Sequence, residues 1–281
     1  MLINCGQYSF DLQTSLSSVQ HCAKLIYGDA PESDTVSDFR IYLRSGNFLR
    51  RIVRPQVTFA CDQHIPFKPL PLNQSYALLE WGMNWCVAAH EFSRFLLHSA
   101  VLVKNNRAIL CPAAPGSGKS TLSAYLGLSG WSVYSDEMAI IDMDSGYVLP
   151  MFRPVCLKNE SISLLKKWHP DAIMTPTCRD TQKGDVAHVK VLSWQQYQRL
   201  KPAPVSALVF PKYQAGSKLE IYQLDQLDAF NQLVHNAFNY NVLNESAFRL
   251  VALMVERARS FEIRYGDLKE LSDFFDELVQ D

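Results

Sequence analysis

The sequence has almost no net charge, with a formal value of −1 at pH 7. Over 281 residues, 27 Lys and Arg side chains stand against 28 Asp and Glu side chains. A chain with so little excess charge has no global field that attracts nucleic acid or an anionic membrane surface, so any basic site must be local. We therefore expect neither nucleic acid nor a membrane among its partners.

The sequence also lacks paired cysteines and a long apolar run. Its seven cysteines are odd in number, scattered and never spaced as Cys-x-x-Cys, which predicts reduced thiols and no zinc site. The most apolar stretch, 95–103, is interrupted by His98 and Ser99 and is too short to span a bilayer. The first residues lack the basic flank and apolar stretch of a signal peptide, so the expected location is the cytoplasm.

What remains is the composition of an ordinary globular protein, with 48% hydrophobic and 20% charged residues. Short extended runs at 39–43 and 57–60 predict a small, strand-rich N-terminal module over residues 1–75. The proline-rich stretch 66–72 is interpreted as a linker because each proline restricts the residue before it. A second domain is predicted over 76–281. It begins with a helix from Ser75 to about Phe92.

The segment 113–121 is the most informative part of the predicted second domain. A buried strand over 96–103, a turn at Asn105-Asn106 and a strand over 108–111 lead into the segment 113–121, and a helical pattern follows. This segment fits the pattern G-x-x-x-x-G-K-[ST], in which backbone amides surround phosphate oxygens, except that Ala113 replaces the first glycine. The predicted nucleotide-binding residues are Ala114, Pro115, Gly116, Ser117, Gly118, Lys119, Ser120 and Thr121.

An acidic pair follows one helix and one strand later. Asp136 lies 17 positions after Lys119, and Glu137 follows it. A strand that runs parallel beside the strand of the loop would bring both carboxylates to the phosphates. This short interval is typical of a kinase, in which one carboxylate accepts the proton of an attacking hydroxyl and the other holds Mg²⁺. The alternative interpretation is a solvated acidic turn.

Several of these segments resemble one family of kinases. The sequences HSAVLV (98–103), PGSGKST (115–121) and SDE (135–137) resemble the catalytic core of HPr serine kinase/phosphorylase, and more closely the HPr-kinase-related kinases. The segments FPKY (210–213) and RYGD (264–267) look like that related group as well. The resemblance implies an α/β protein with a fold shared with phosphoenolpyruvate carboxykinase and a nucleotide-dependent kinase of a serine hydroxyl.

The resemblance also implies residue roles. Asp136 matches the general base of the family, and Glu137 matches its neighbouring acid, which is normally Asp. Lys119 and Ser120 match the phosphate and magnesium contacts, and His98 matches a histidine at the start of the strand before the loop. The downstream Arg-Gly-rich signature of the family is missing, so neither phosphorylase activity nor the HPr substrate is carried over.

Weaker candidates complete the predicted site. Arg153 follows the acid-bearing strand and could stabilise charge on the transferred phosphoryl group. Lys183 and His188 lie in a polar loop that could close over substrate. From Leu224 to about Leu278 the apolar spacing predicts a mostly helical C-terminal part.

Three functions therefore stay open. The first is transfer of the γ-phosphate of ATP, or of another nucleoside triphosphate, with Mg²⁺, to a serine hydroxyl of a protein or peptide. The second is a kinase of a small hydroxyl metabolite or free amino acid, because the loop and its acid also resemble shikimate- and gluconate-type kinases. The third is a nucleotide-binding regulatory module without catalysis. The resemblance is also compatible with a homo-oligomer of unspecified size.

Overall fold

The computed structural model describes residues 1–31, 36–46 and 53–280. Residues 32–35 and 47–52 of the predicted N-terminal module, and residue 281, lie outside the described residues. The strands of the described part are, in chain order, β1 (Leu2–Asn4), β2 (Ser9–Thr14), β3 (Phe39–Ser45), β4 (Gln56–Cys61), β5 (Leu70–Pro71), β6 (Phe95–Leu97), β7 (Ser99–Lys104), β8 (Arg107–Pro112), β9 (Ser132–Ser135), β10 (Ala139–Ile141), β11 (Val148–Leu149), β12 (Val155–Lys158), β13 (Cys178–Thr181), β14 (Gly184–Val189), β15 (Val205–Tyr213), β16 (Glu220–Gln223) and β17 (Arg259–Tyr265).

The helices belong to the same mixed α/β architecture. They are α1 (Ser17–Tyr27), α2 (Ser75–His90), α3 (Lys119–Leu128), α4 (Glu160–Trp168), α5 (Trp194–Tyr197), α6 (Gln226–His235), α7 (Tyr240–Arg257) and α8 (Leu268–Leu278). The predicted helix from Ser75 is confirmed as α2. No helix in the described ranges is both long and apolar enough to cross a membrane.

The chain forms two compact units. The first unit combines Met1–His90 with Cys156–Gln195, and the second combines Glu91–Val155 with Gln196–Asp281. The sequence placed a boundary at residue 75 instead. The first unit extends beyond the predicted boundary because α2 packs on β4 and because the chain returns to this unit after Val155. The assignment of 76–281 as a kinase domain stays a prediction.

The first unit is built on a five-stranded sheet in the order β1-β2-β3-β4-β5. The predicted strands at 39–43 and 57–60 are confirmed as β3 and β4. The linker prediction is wrong at Leu70–Pro71, which forms the edge strand β5 on β4. An edge position accommodates Pro71 because no further strand requires its missing N–H group.

The first unit also contains the polar loop in which Lys183 and His188 are candidates to close over substrate. Lys183 lies at the β13–β14 turn with its ammonium 5.3 Å from the centre of the Trp81 ring. His188 is 1% exposed and makes an edge contact with the Tyr76 ring. His188 is therefore part of the packing of its unit, and the prediction that it closes over substrate is wrong.

The second unit is built on a six-stranded sheet in the order β16-β17-β15-β8-β7-β9. Strands β8, β15 and β17 run parallel, and the other pairings are antiparallel. The turn at Asn105-Asn106 is confirmed, since both residues have positive φ, 52° and 58°, as a type I′ hairpin requires. The core of this unit includes the fully buried residues Val101, Leu110 and Val251.

Two strand predictions are corrected in this unit. The predicted single strand over 96–103 is two strands, β6 and β7, which separate at His98 and belong to different sheets. The predicted mostly helical C-terminal part contains α6, α7 and α8 but also β17, which lies inside the sheet between β15 and β16. In β17 the buried residues Ile263 and Tyr265 follow the two-residue period of a strand. This short pattern is difficult to recognise in the sequence because helical patterns precede and follow it.

Candidate functional site

The segment that is predicted to bind phosphate, residues 113–121, has the predicted strand, loop and helix arrangement. Strand β8 ends at Pro112, and α3 begins at Lys119 directly after Gly118. Gly116 and Gly118 have φ values of 89° and 91°, which L side chains rarely adopt. Ala113 occupies the position of the first glycine of the motif. It is absent from the described residues with positive φ, so an alanine fits the backbone there without strain.

Two tyrosines at the ends of neighbouring strands support this loop. Tyr213 of β15 donates its amide proton to the Ser117 carbonyl oxygen over 3.1 Å, and the Tyr265 hydroxyl of β17 lies 3.5 Å from the same oxygen. A Cβ atom on Gly118 would lie 2.2 Å from the Tyr265 hydroxyl. The residue at 118 is therefore limited to glycine both by its backbone conformation and by the adjacent tyrosine.

Lys119 is held at the loop itself. Its side chain is buried, with the residue 7% exposed, and its Nζ donates a hydrogen bond to the Ala113 carbonyl oxygen. Burial raises the pKa of the neighbouring Cys111 thiol to about 12, although the Lys119 ammonium acts in the opposite direction. The loop thus has a cation at the point where a phosphate-binding loop places its lysine.

The acidic pair lies at the same edge of the sheet, although one detail of the prediction is wrong. Strand β9 is not the neighbour of β8, because β7 pairs with both of them. Since β7 is antiparallel to each, β8 and β9 still run in the same direction. Val101 pairs with Leu110 on one side and with Ser135, the last residue of β9, on the other, so β9 ends two residues before the level of Pro112, the last residue of β8. The two strands are about 10 Å apart because β7 lies between them.

The turn that carries the acids is fixed by Ser135. Its Oγ accepts a hydrogen bond from the Met138 amide over 2.9 Å, which closes the bend around Asp136 and Glu137. Asp136 is 7% exposed, and Glu137 is half-buried. A solvated acidic turn would leave both carboxylates exposed, so the burial of Asp136 favours a functional carboxylate.

His98 lies where the two sheets of the second unit separate. The next residue, Ser99, pairs with Pro112 directly before the loop, and the preceding residue, Leu97, pairs with Ala139 shortly after the acids. The His98 amide donates to the Asn236 carbonyl oxygen over 2.7 Å. These pairings bring the backbone of His98 to the edge that carries the loop and the acids.

Arg153 is half-buried in the segment between β11 and β12. Two residues earlier, the Met151 amide donates to the Tyr134 carbonyl oxygen of β9 over 2.9 Å. This bond places the segment beside the strand that leads to Asp136.

The predicted magnesium ligands, Ser120 and Glu137, both carry side-chain oxygen atoms, which Mg²⁺ prefers as ligands. No group of three or more His, Cys, Asp and Glu residues that could hold a metal ion occurs in the part of the chain that the structure describes. Mg²⁺ needs only one or two protein oxygens because phosphates and water complete its coordination. The Ser120 hydroxyl in the first turn of α3 and the half-buried Glu137 are donors of this kind.

Sequence reasoning gave no role to Tyr213 and Tyr265, although both lie in segments that carried the family resemblance. Their contacts with the loop depend on the parallel pairing of β15 with β8 and with β17. Burial, with Cys111 and Tyr213 nearby, raises the pKa of Tyr265, so its hydroxyl keeps its proton even in alkaline solution. An aromatic residue at a strand end is too common to signal such a role without the fold.

Comparison with known proteins adds no assignment: no protein-family model matches the chain, and no curated protein is significantly similar to it.

Proposed function

We propose that the protein is a nucleotide-dependent kinase that transfers the γ-phosphate of ATP, or of a related nucleoside triphosphate, to a serine hydroxyl of a protein or peptide. The observation that carries this proposal is the loop between β8 and α3, with Lys119 at its Ala113 carbonyl and the buried Asp136 at the same sheet edge. We further propose a carboxykinase-like core related to the HPr-kinase-related kinases, and a cytoplasmic location.

The loop binds the phosphates in this proposal. Its backbone amides and the N-terminus of α3 favour negative charge, and Lys119 binds the terminal phosphates. Ser120 and Glu137 would hold Mg²⁺, which neutralises charge on the phosphate oxygens when it is bound.

Asp136 acts on the acceptor. Its carboxylate accepts the proton of the serine hydroxyl as the hydroxyl oxygen forms a bond to the γ-phosphorus, and the bond to the leaving nucleoside diphosphate breaks. Its burial keeps water from competing for the carboxylate. His98 and Arg153, which lie at or near the same edge, contribute positive charge or hydrogen-bond donors to the phosphoryl oxygens.

Calorimetry tests the nucleotide site. Mg-ATP is titrated into the wild type, Lys119→Ala, Asp136→Asn and a control, Lys166→Ala, which removes an exposed lysine of α4. We expect binding by the wild type, Asp136→Asn and Lys166→Ala and loss of binding by Lys119→Ala. Absence of binding by the wild type would contradict the proposal.

A transfer assay tests the chemistry. The same proteins are incubated with γ-labelled ATP and with candidate proteins, serine peptides and free serine. We expect the wild type to label a protein or peptide and Asp136→Asn to bind ATP without transfer. Transfer to free serine or another small hydroxyl compound alone would indicate a metabolite kinase, and binding without any turnover would indicate a regulatory module.

A further inference from the structure

Tyr213 is an exposed aromatic residue that is fixed against the phosphate-binding loop. Its amide is bonded to Ser117, and its Cβ lies 3.1 Å from the position that a Cβ on Gly118 would occupy. Its ring makes a T-shaped contact with the Tyr265 ring, at 5.6 Å between centroids. Tyr265 is 1% exposed, whereas Tyr213 is 49% exposed. One side of the Tyr213 side chain is therefore packed, and the other is open to a ligand.

Tyr213 and the acidic pair belong to strands on opposite sides of β8. Strand β15 flanks β8 on one side, whereas β7 and then β9, which leads to Asp136, flank it on the other. In the proposed reaction the γ-phosphate faces Asp136. The nucleoside is attached at the opposite end of the triphosphate, so a triphosphate that lies along this edge of the sheet would direct it to the side of β15.

We propose that the Tyr213 ring packs against the base of the bound nucleotide, which makes this residue a part of the nucleoside subsite. This inference rests on the proposed nucleotide-dependent function. The fixed backbone and the packed Tyr265 ring lower the entropy that the side chain loses on binding. A flat aromatic face stacks on adenine and guanine alike, so this contact contributes affinity without selecting between purines.

Inorganic tripolyphosphate separates the base contact from the phosphate contacts. It presents three phosphates and no nucleoside. Mg-ATP, Mg-GTP and Mg-tripolyphosphate are titrated calorimetrically into the wild type, Tyr213→Ala, Tyr213→Leu, Tyr213→Phe and the control Tyr222→Ala. Tyr222 is a matched control because it is 50% exposed on β16 of the same sheet, and two strands, β17 and β15, separate β16 from β8 and its loop. Thermal unfolding curves show whether each variant is folded, and the leucine variant keeps side-chain bulk without the ring.

We expect Tyr213→Ala and Tyr213→Leu to weaken ATP and GTP binding about tenfold, a typical loss for one stacked base. Tripolyphosphate binding should stay within about twofold, and Tyr213→Phe and Tyr222→Ala should bind all three ligands like the wild type. Unchanged ATP binding by Tyr213→Leu would overturn the inference. An equal loss of ATP and tripolyphosphate binding would also overturn it, because Tyr213 would then only shape the loop. Both results leave the proposed function in place, whereas a wild type that binds neither ligand contradicts the function and the inference together.

Discussion

Two features of the loop between β8 and α3 favour glycine at position 118, and its substitution by alanine allows their contributions to stability to be separated. At a φ of 91° an alanine costs about 1–2 kcal/mol of backbone strain. Its Cβ would also lie 2.2 Å from the hydroxyl of Tyr265, a buried side chain that has little room to move. Overpacking of this kind costs about 1–3 kcal/mol, so we expect a total loss of roughly 2–5 kcal/mol in the free energy of unfolding.

Gly116 provides the matched control. Its φ of 89° is almost the same, but in the described part of the chain no atom outside its two sequence neighbours lies within 4 Å of the Cβ that an alanine would add. Gly116→Ala should therefore lose only the backbone part, about 1–2 kcal/mol. In the double variant Gly118→Ala/Tyr265→Phe, removal of the hydroxyl should restore part of the packing loss.

Equilibrium urea unfolding measures these differences, and hydrogen exchange of the α3 amides reports on the second unit alone. Two results would refute the reasoning. One is an equal loss of stability in Gly116→Ala and Gly118→Ala. The other is a double variant no more stable than Gly118→Ala.

Two further predictions concern the acidic turn and the thiol next to the loop. Ser135→Ala removes the hydrogen bond from the Met138 amide, so we expect urea unfolding to show a loss of about 1–2 kcal/mol in stability. Kinetics should show slower phosphoryl transfer, and calorimetry should show an unchanged affinity for ATP. The pKa of the Cys111 thiol is raised from its ordinary value of 9.0 to about 12 in the folded protein. The unfolded chain therefore loses this proton at a lower pH than the folded protein, and stability should fall as the pH rises from 9 to 12. Cys111→Ala should reduce this alkaline slope, and an unchanged slope would show that the thiol does not contribute.

The loop and its flanking elements could be predicted because their determinants are local. Asn105-Asn106 specifies a two-residue hairpin, and Gly116 and Gly118 supply the positive φ values that the loop requires. The chemistry of each turn is therefore determined by the residue types at the turn itself. The predicted order of hairpin, loop and helix is correct for the same reason.

The position of the acids could be predicted only in part. The interval between Lys119 and Asp136 places the acids after one helix and one strand, but no local pattern shows that β7 intervenes between β8 and β9. The separation of β6 from β7 at His98 has no signature either, because both strands are apolar and only their partners differ. Such choices depend on pairings between residues far apart in the sequence, and the role of Tyr265 depends on them too.

The loop combines a fixed backbone with an exchangeable lysine contact. Tyr213 and Tyr265 contact the Ser117 carbonyl and the space beside Gly118, so two residues from neighbouring strands support the backbone of the loop. The Lys119 ammonium donates a hydrogen bond to the Ala113 carbonyl oxygen, and a phosphate oxygen could accept a stronger, charge-assisted bond from it. In the proposed function, the Lys119 ammonium would bind a phosphate oxygen while the two tyrosines support the loop backbone. Because little backbone entropy is then lost, most of the phosphate interaction energy would be available for affinity.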